Sequence, residues 1–512
     1  WEYRDWLIRG FNGDVSWKRL VEEQVAGDLL EPARLNPETG WNESVLGTGF
    51  WLLGEEVHTP VDLEKDLADR TANKLDVMGK SILGMTLACA RCHDHKFDPV
   101  SSRDYYALSG LVQSSSYHQV RFQSLEKNKE IRKALDLLEE ERGELARMEA
   151  LSRLQKSWEG TPGSEGKNVE EPWDFPNLNE SLIWVAGRDA WWPDGGSYSL
   201  GKEGDALFTT NASWPVHHFL PVNAVVHDPD WQGLRPAPQS RGASIENLNW
   251  GGEGRTFRTP TVILGEEPIW YLVRGKGAAF SPVEHHRLVR GPLHLNTFHL
   301  FDTGGEWEWI QHPSLKDYEG MRAHFEFCPR GEGEWVGVAA IARGENPPCP
   351  SPPQGLSNQL LNTPRPLGNP SSQVLAFHEK RKELLDGRIL ESRLAPALLD
   401  GNGMDQPLLI RGQPSAPSDP VPRAFLERFS GKGEAVPPTF PNGRPTSGRL
   451  HLAEAIFQDS EALVARVFVN RVWHHLLGKG IVKTTDNFGT LGAFPSNPAL
   501  LDHLASSFIE SG

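Results

Sequence analysis

The chain is predicted to be a multidomain α+β protein, with a helical N-terminal region and a helical C-terminal domain separated by an all-β sandwich. Three observations predict this. Apolar residues recur at helical spacing near both ends. Between about Asn179 and Arg343 the texture changes to short alternating apolar runs separated by glycine-rich turns. Two stretches of linker composition, the polar, glycine-rich Gly160–Pro172 and the proline-rich Asn346–Pro370, bracket that middle portion. At 512 residues the chain also exceeds what one core usually organises.

Taken in order, Trp6, Leu7 and Phe11, then Trp17, Leu20, Val21, Val25 and Leu29 mark the first helices. After Pro60 a helix-compatible run extends from Val61 to Ala90, with Leu63, Leu67, Leu75, Ile82 and Leu83 as its apolar positions, and delivers Cys89 at its end. Asp98-Pro99 breaks the chain, and a helix restarts over Asp104–Leu111. The charge-rich Leu125–Trp158, with Ile131, Leu135, Leu138, Leu145, Met148 and Leu151 in a stripe, reads as a helical hairpin or spacer that packs on its own domain. Runs such as Ser181–Val185, Thr261–Leu264, Ile269–Val273 and Glu334–Ala339 read as strands. Helix resumes near Ser371, includes Leu463–Leu477 and ends with Leu500–Phe508. The domains expected are residues 1–122, 123–159 (the spacer), 173–345 (the sandwich) and 371–512.

The segment richest in chemistry is Cys89-Ala90-Arg91-Cys92-His93. C-x-x-C-H is the attachment signature of c-type haem. Each thiol can add across a haem vinyl group, and the adjacent His93 is placed to ligate the iron from the proximal face. One such motif predicts one covalent haem. Half of a zinc site is the rival, but structural zinc needs a second ligand pair at comparable spacing, and the other cysteines, Cys328 and Cys349, lie far downstream. A redox dithiol would need a βαβ context that the flanks do not suggest. His95 follows His93 too closely to reach the other face of the same iron. With Asp94 and Asp98 it is read instead as outer-layer support, the carboxylates taking a proton from an imidazole or capping the turn.

The run Val25–Leu30 (VAGDLL), the run Gly84–Pro99 (GMTLACARCHDHKFDP) and Asp104–Tyr106 (DYY) resemble the planctomycete-type cytochrome c-like domain. Leu409–Gly412 (LIRG), Ser447–Leu450 (SGRL) and Ala465–Trp473 (ARVFVNRVW) resemble the companion domain of unknown function that follows it in that family. The resemblance implies a haem domain, a helical companion domain and, between them, a jelly-roll or lectin-like insert. In the family's N-R-x-W-x-H pattern Asn470, Arg471, Trp473 and His475 all match. Arg471 and His475, four residues apart on a helix, share a face. His475 is therefore the first candidate for the distal iron ligand, against five-coordinate iron, and Arg471 a candidate partner for a haem propionate. Met78, His58 and His118 are further distal candidates, and Met85 is expected in the core. Where family members commonly carry a histidine in P-S-H-P, this chain has Pro495-Ser496-Asn497-Pro498, so no role for that histidine transfers.

Lys and Arg number 52 against 68 Asp and Glu, a net charge of -16 that argues against a nucleic-acid partner. No run of roughly eighteen apolar residues predicts a membrane span. The chain begins at Trp1 without methionine and reads as an internal piece of a longer protein. Because bacterial c-type haem is attached outside the cytoplasmic membrane, an exported, periplasmic or surface location is expected, where Cys328 and Cys349 could pair. Tryptophans of the middle region (Trp191, Trp192, Trp214, Trp231, Trp250, Trp307, Trp309) could stack on sugar rings or fill a core. His285, His286, His294 and His299 match no familiar ligand spacing. Three functions follow as expectations: single-electron transfer with a redox partner protein, a haem-dependent oxidoreductase acting on polysaccharide or another extracellular substrate, and a surface carbohydrate-binding protein with structural haem.

Overall fold

In a computed structural model, residues 1–54, 60–158, 181–193, 197–209, 216–237, 255–286, 295–331, 333–352, 369–431 and 434–511 are described. The architecture is multidomain α+β, with helical N- and C-terminal regions and a central, nearly barrel-shaped, sandwich-like β region. The chain divides into two compact units. Unit 1 comprises Trp1–Leu35, Glu43–His118 and Ala395–Gly512, and unit 2 comprises Asn36–Asn42 and Gln119–Leu394.

Unit 1 is built on helices Glu2–Asn12, Trp17–Ala26, Leu63–Met78, Ser102–Gln113, Arg449–Leu477 and Pro498–Ser511. Its core draws on both ends of the sequence: Val21, Val25, Leu75, Met78, Leu83, Leu108 and Leu111 pack with Leu398, Phe425, Leu452, Ile456 and Val464. One buried cation ties these ends together. Arg449, wholly buried, donates to Asp28 through Nη1 (2.8 Å) and Nη2 (2.7 Å), to the Val25 carbonyl (3.0 Å) and to Ser115 Oγ (2.7 Å). Thus the SGRL arginine is the partner of the VAGD aspartate.

In unit 2 the strand Ile269–Phe280 runs through both layers of the sheet. Its first half pairs with Glu308–Gln311 and Val336–Arg343, and its second half with Phe298–Asp302 and Glu326–Pro329. The strand turns the corner where the register shifts after Leu272 and at Gly275, whose φ of +98° and contact with the Trp335 carbonyl leave no room for a Cβ. The two halves thereby serve two faces of one closed core.

Several sequence expectations need correction. Leu125–Trp158 is one continuous helix and not a hairpin; its partner is the helix Ser372–Asp386, with which it shares clusters that include Leu138, Ala150, Val374 and Phe377, and Leu135 and Leu385. That second helix, expected at the head of the C-terminal domain, therefore falls in unit 2, and the division lies at Leu394/Ala395 instead of near residue 371. The two helices are pinned to the strand Ala224–His227 and its following turn by buried ion pairs. Arg132 bonds Asp228 (2.8 Å), and Arg381 engages both Asp230 and Glu139 (3.3 Å). Cys328 and Cys349, which could have paired, are both buried and not joined by a disulfide. Trp192, Trp231, Trp307 and Trp309 are buried, and Trp191 is half-buried edge-on to Phe257, so these indoles fill the core. Trp214, Trp250, His294 and His58 lie outside the described residues. No helix among the described residues is long and apolar enough to cross a membrane.

Candidate functional site

The helix Leu63–Met78 starts at Asp62, whose carboxylate accepts the Lys65 N–H (2.9 Å), and continues through one π-turn, Gly79–Leu83. It stops at Gly84, in the left-handed region at φ +60°. A side chain there would meet Val467 at 2.7 Å and the Phe488 ring at 3.0 Å, while the Gly84 carbonyl accepts the Phe488 N–H (2.7 Å). The long helix expected to end at Cys89 is therefore cut short, and Cys89 instead sits on a separate 3₁₀ turn, Ala88–Arg91. The apolar stripe continues past Gly84 into Met85 and Leu87, which are buried as core, so spacing alone conceals the break.

Cys89, Cys92 and His93 are all exposed on this turn, and both cysteines are free thiols. His93 Nδ1 lies 2.7 Å from the Asp94 carbonyl. A carbonyl only accepts, so Nδ1 carries the proton and the Nε2 lone pair is left for a ligand. That is the polarity an iron-binding histidine needs, with the far ring nitrogen oriented by a backbone acceptor. His95 has the opposite tautomer. Its Nδ1 accepts the Asp98 N–H (2.9 Å), so Nε2–H donates to Thr86 Oγ1 (3.2 Å), and its own N–H bonds the Val100 carbonyl (2.8 Å). His95 thus braces the loop that follows the motif.

Of the two roles open to the aspartates, the bonds they make are those of capping and bracing the turn. Asp94 accepts the Ser102 N–H (2.8 Å) at the start of the helix Ser102–Gln113. Asp98, buried, accepts the Thr490 N–H (2.6 Å), and its carboxylate lies so close to Gly489 that a Cβ there would come within 2.3 Å of Oδ2. The Asp98 carboxylate stands 3.6 Å from His95 Nδ1, beyond hydrogen-bond range. It cross-links the motif loop to the C-terminal segment.

Sequence reasoning missed the residues that clamp the turn. Tyr106 donates to the Arg91 carbonyl (2.9 Å), with the Leu409 carbonyl also near at 3.4 Å; burial pushes its hydroxyl up to about 12. The Arg91 guanidinium bonds Asp69 (2.6 Å) and the Gly412 carbonyl (3.3 Å). The signals are present in DYY and LIRG, but the contacts run through backbone carbonyls that no side-chain pattern records. On its other side the loop borders an open groove of about 530 Å³ lined by Asp94, His95, Asp98, Asp104, Glu427 and Arg428 among others. Among the described residues no group of three or more His, Cys, Asp or Glu is arranged to hold a metal ion.

Arg471 is committed elsewhere. Its Nη1 and Nη2 donate to the carbonyls of Ser81 and Lys80 (3.0 Å each), closing the end of the π-turn, and Asp486 stands 3.6 Å away. Asn470 likewise bonds both the N–H and the carbonyl of Val482 (2.8 and 3.0 Å). His475 is exposed. Along its helix Val467 faces Gly84 and Arg471 faces Lys80 and Ser81, and His475 follows one turn beyond Arg471. Met78 is wholly buried in the core, and His118 is buried in the strand Ser116–Val120.

Both ends of the chain match family models. Residues 1–117 match PSCyt2, described as a protein of unknown function (DUF1549), and residues 448–512 match PSD1, described as a protein of unknown function (DUF1553). The two models stand in the order the motifs imply, and they are the models of the planctomycete-type cytochrome c-like domain and companion domain that these segments resemble. The matches cover well under half of the chain. No curated protein and no solved structure matches it.

Proposed function

We propose that the chain is an exported c-type haem protein that passes single electrons to or from a partner redox protein. The observation that carries this reading is the Cys89–His93 turn, which presents two free thiols and an imidazole whose Nε2 lone pair is unspent, all exposed together on a braced loop. The donor set fits haem c. Cys89 and Cys92 would hold the porphyrin as thioethers, each S–H adding across a vinyl double bond with sulfur on one carbon and hydrogen on the other and nothing lost. His93 Nε2 would take the proximal position. Bound there, haem supplies a one-electron couple whose potential follows axial ligation and burial. Tyr106 and Arg91 hold the turn, and His95 holds the loop behind His93.

The test is chemical. Whole chain matured by c-type haem machinery should show one added haem by mass spectrometry under denaturing conditions, with a reversible reduced and oxidised spectrum. Cys89→Ala with Cys92→Ala should abolish the added mass. An unmodified mass after maturation would overturn the reading, and zinc retained at the cysteines would replace it.

A further inference from the structure

The thiol of Cys92 is set by a segment more than three hundred residues away in sequence. Gly412 lies against it so closely that a Cβ would fall 2.7 Å from Sγ, 3.2 Å from Arg91 Cγ and 3.4 Å from Arg91 Nε. No real side chain makes such a contact, so any residue but glycine there must displace the thiol or the turn. The glycine stands in the left-handed region at φ +70°, and Arg411 before it is also left-handed at φ 53°. Two adjacent residues of that conformation, one of them not glycine, cost free energy that the surroundings must offset. The surroundings do hold the segment: Ile410 N–H bonds the Ala416 carbonyl (2.9 Å), Gln413 N–H the Ile410 carbonyl (3.2 Å), and Ala416 N–H the Gln413 carbonyl (3.0 Å). Arg91 reaches the Gly412 carbonyl, and Tyr106 bridges toward Leu409.

We infer that Gly412 is a positioning residue for thioether formation at Cys92: the LIRG turn is a template wall against this thiol. The inference rests on the haem reading for its purpose, but its physical content, control of the Cys92 sulfur by Gly412, stands apart from it. The covalent step is the addition described above. Sulfur bonds to a vinyl carbon, hydrogen goes to the neighbouring carbon, and no oxidant is needed. Such a step is sensitive to sulfur placement, since displacement by about 1 Å can lower a rate on the order of a hundredfold.

The experiment compares Gly412→Ala with Gly443→Ala in the whole chain. Gly443 is also left-handed, at φ +82°, but a Cβ there meets nothing, so it controls for backbone strain alone. Two measurements are made. In protein produced without haem, iodoacetamide labelling is followed by peptide mass, and Gly412→Ala is expected to change the Cys92-to-Cys89 rate ratio by about tenfold, with Gly443→Ala unchanged. In matured protein, Gly412→Ala is expected to leave haem bound through Cys89 alone, seen as one intact thiol at Cys92 and a reduced pyridine complex whose α band moves to longer wavelength. If Gly412→Ala fails to accumulate, Tyr106→Phe removes the bond to the Arg91 carbonyl without adding an atom, and the labelling ratio is expected to shift with it. A labelling ratio equal to wild type in the folded variants, or two thioethers in Gly412→Ala, overturns the inference. Absence of haem from wild type overturns the haem reading instead, and the labelling ratio still decides the role of Gly412.

Discussion

Arg449 is a wholly buried charge that ties together distant parts of unit 1. Its guanidinium is fully buried, its fork is matched to Asp28, and Asp400 lies 4.0 Å away. Burial pushes the Asp400 carboxyl up, against the pull of Arg449. Removing one member of a buried pair leaves the other uncompensated, so Arg449→Met should lower stability by about 3–5 kcal/mol. Arg449→Lys should cost less but still be measurable, because a point charge cannot reproduce two parallel bonds. Chemical denaturation of the two variants would check this, and a wild-type midpoint for Arg449→Met would refute it. The same scale shows why site residues were only partly legible in sequence. Cys89, Cys92 and His93 announce themselves because their chemistry is local. Arg471 does not, because its partners, the Lys80 and Ser81 carbonyls, are backbone groups nearly four hundred residues earlier that no side-chain pattern records.

At the scale of elements, the sheet unit carries an acid-sensitive set of imidazoles. Burial lowers His217, His312 and His378 to about 4 and His227 to about 3, and holds His218 well below its usual range. In the unfolded chain these groups take up protons near pH 6.5 while the folded unit resists, so the unfolded state binds more protons below that pH. Stability is therefore complete above about pH 6.5 and falls as pH drops toward 4, by about 1.4 kcal/mol per pH unit for each fully titrating group. Asp228, whose burial is outweighed by Arg132 and Arg381 and which lies at about 2, adds its own loss only at far lower pH. Thermal melts followed by tryptophan fluorescence at pH 7 and pH 5 should show a clear drop, and replacing His227 by Phe should flatten part of it. A melt unchanged between those pH values would contradict the burial of these rings. Elements also show where periodicity succeeds and where it fails. The apolar stripe of Leu63, Leu67 and Leu75 predicts its helix correctly. It overshoots to Ala90 because a single left-handed glycine at position 84 ends the helix without interrupting the stripe.

At the scale of the molecule, unit 1 is discontinuous in sequence, and unit 2, apart from Asn36–Asn42, is one run from Gln119 to Leu394. That run should fold when expressed alone, with a β-rich circular dichroism spectrum and one cooperative melt. A molten, uncooperative product would show that the contact division is not a folding division. The broad architecture was legible because the hydrophobic period switches from helical to alternating and back. The boundary was not, because Ser372–Asp386 carries a helical pattern like its C-terminal neighbours and only its packing against Leu125–Trp158 assigns it to the sheet unit.

The strand Ser116–Val120 pairs with Ala395–Leu399, so the backbone departs from unit 1 and returns to it on hydrogen-bonded neighbours. A graft joined there imposes almost no spacing demand on its host, since closing a loop costs only a slowly growing entropy with length. Unit 1 is thus built like a socket, its chain leaving and returning at one joint. Swapping residues 119–394 for a two-residue Asn-Gly turn should leave a shortened protein that still folds, and the same joint is where a lineage could trade one insert for another while the CxxCH turn stayed untouched.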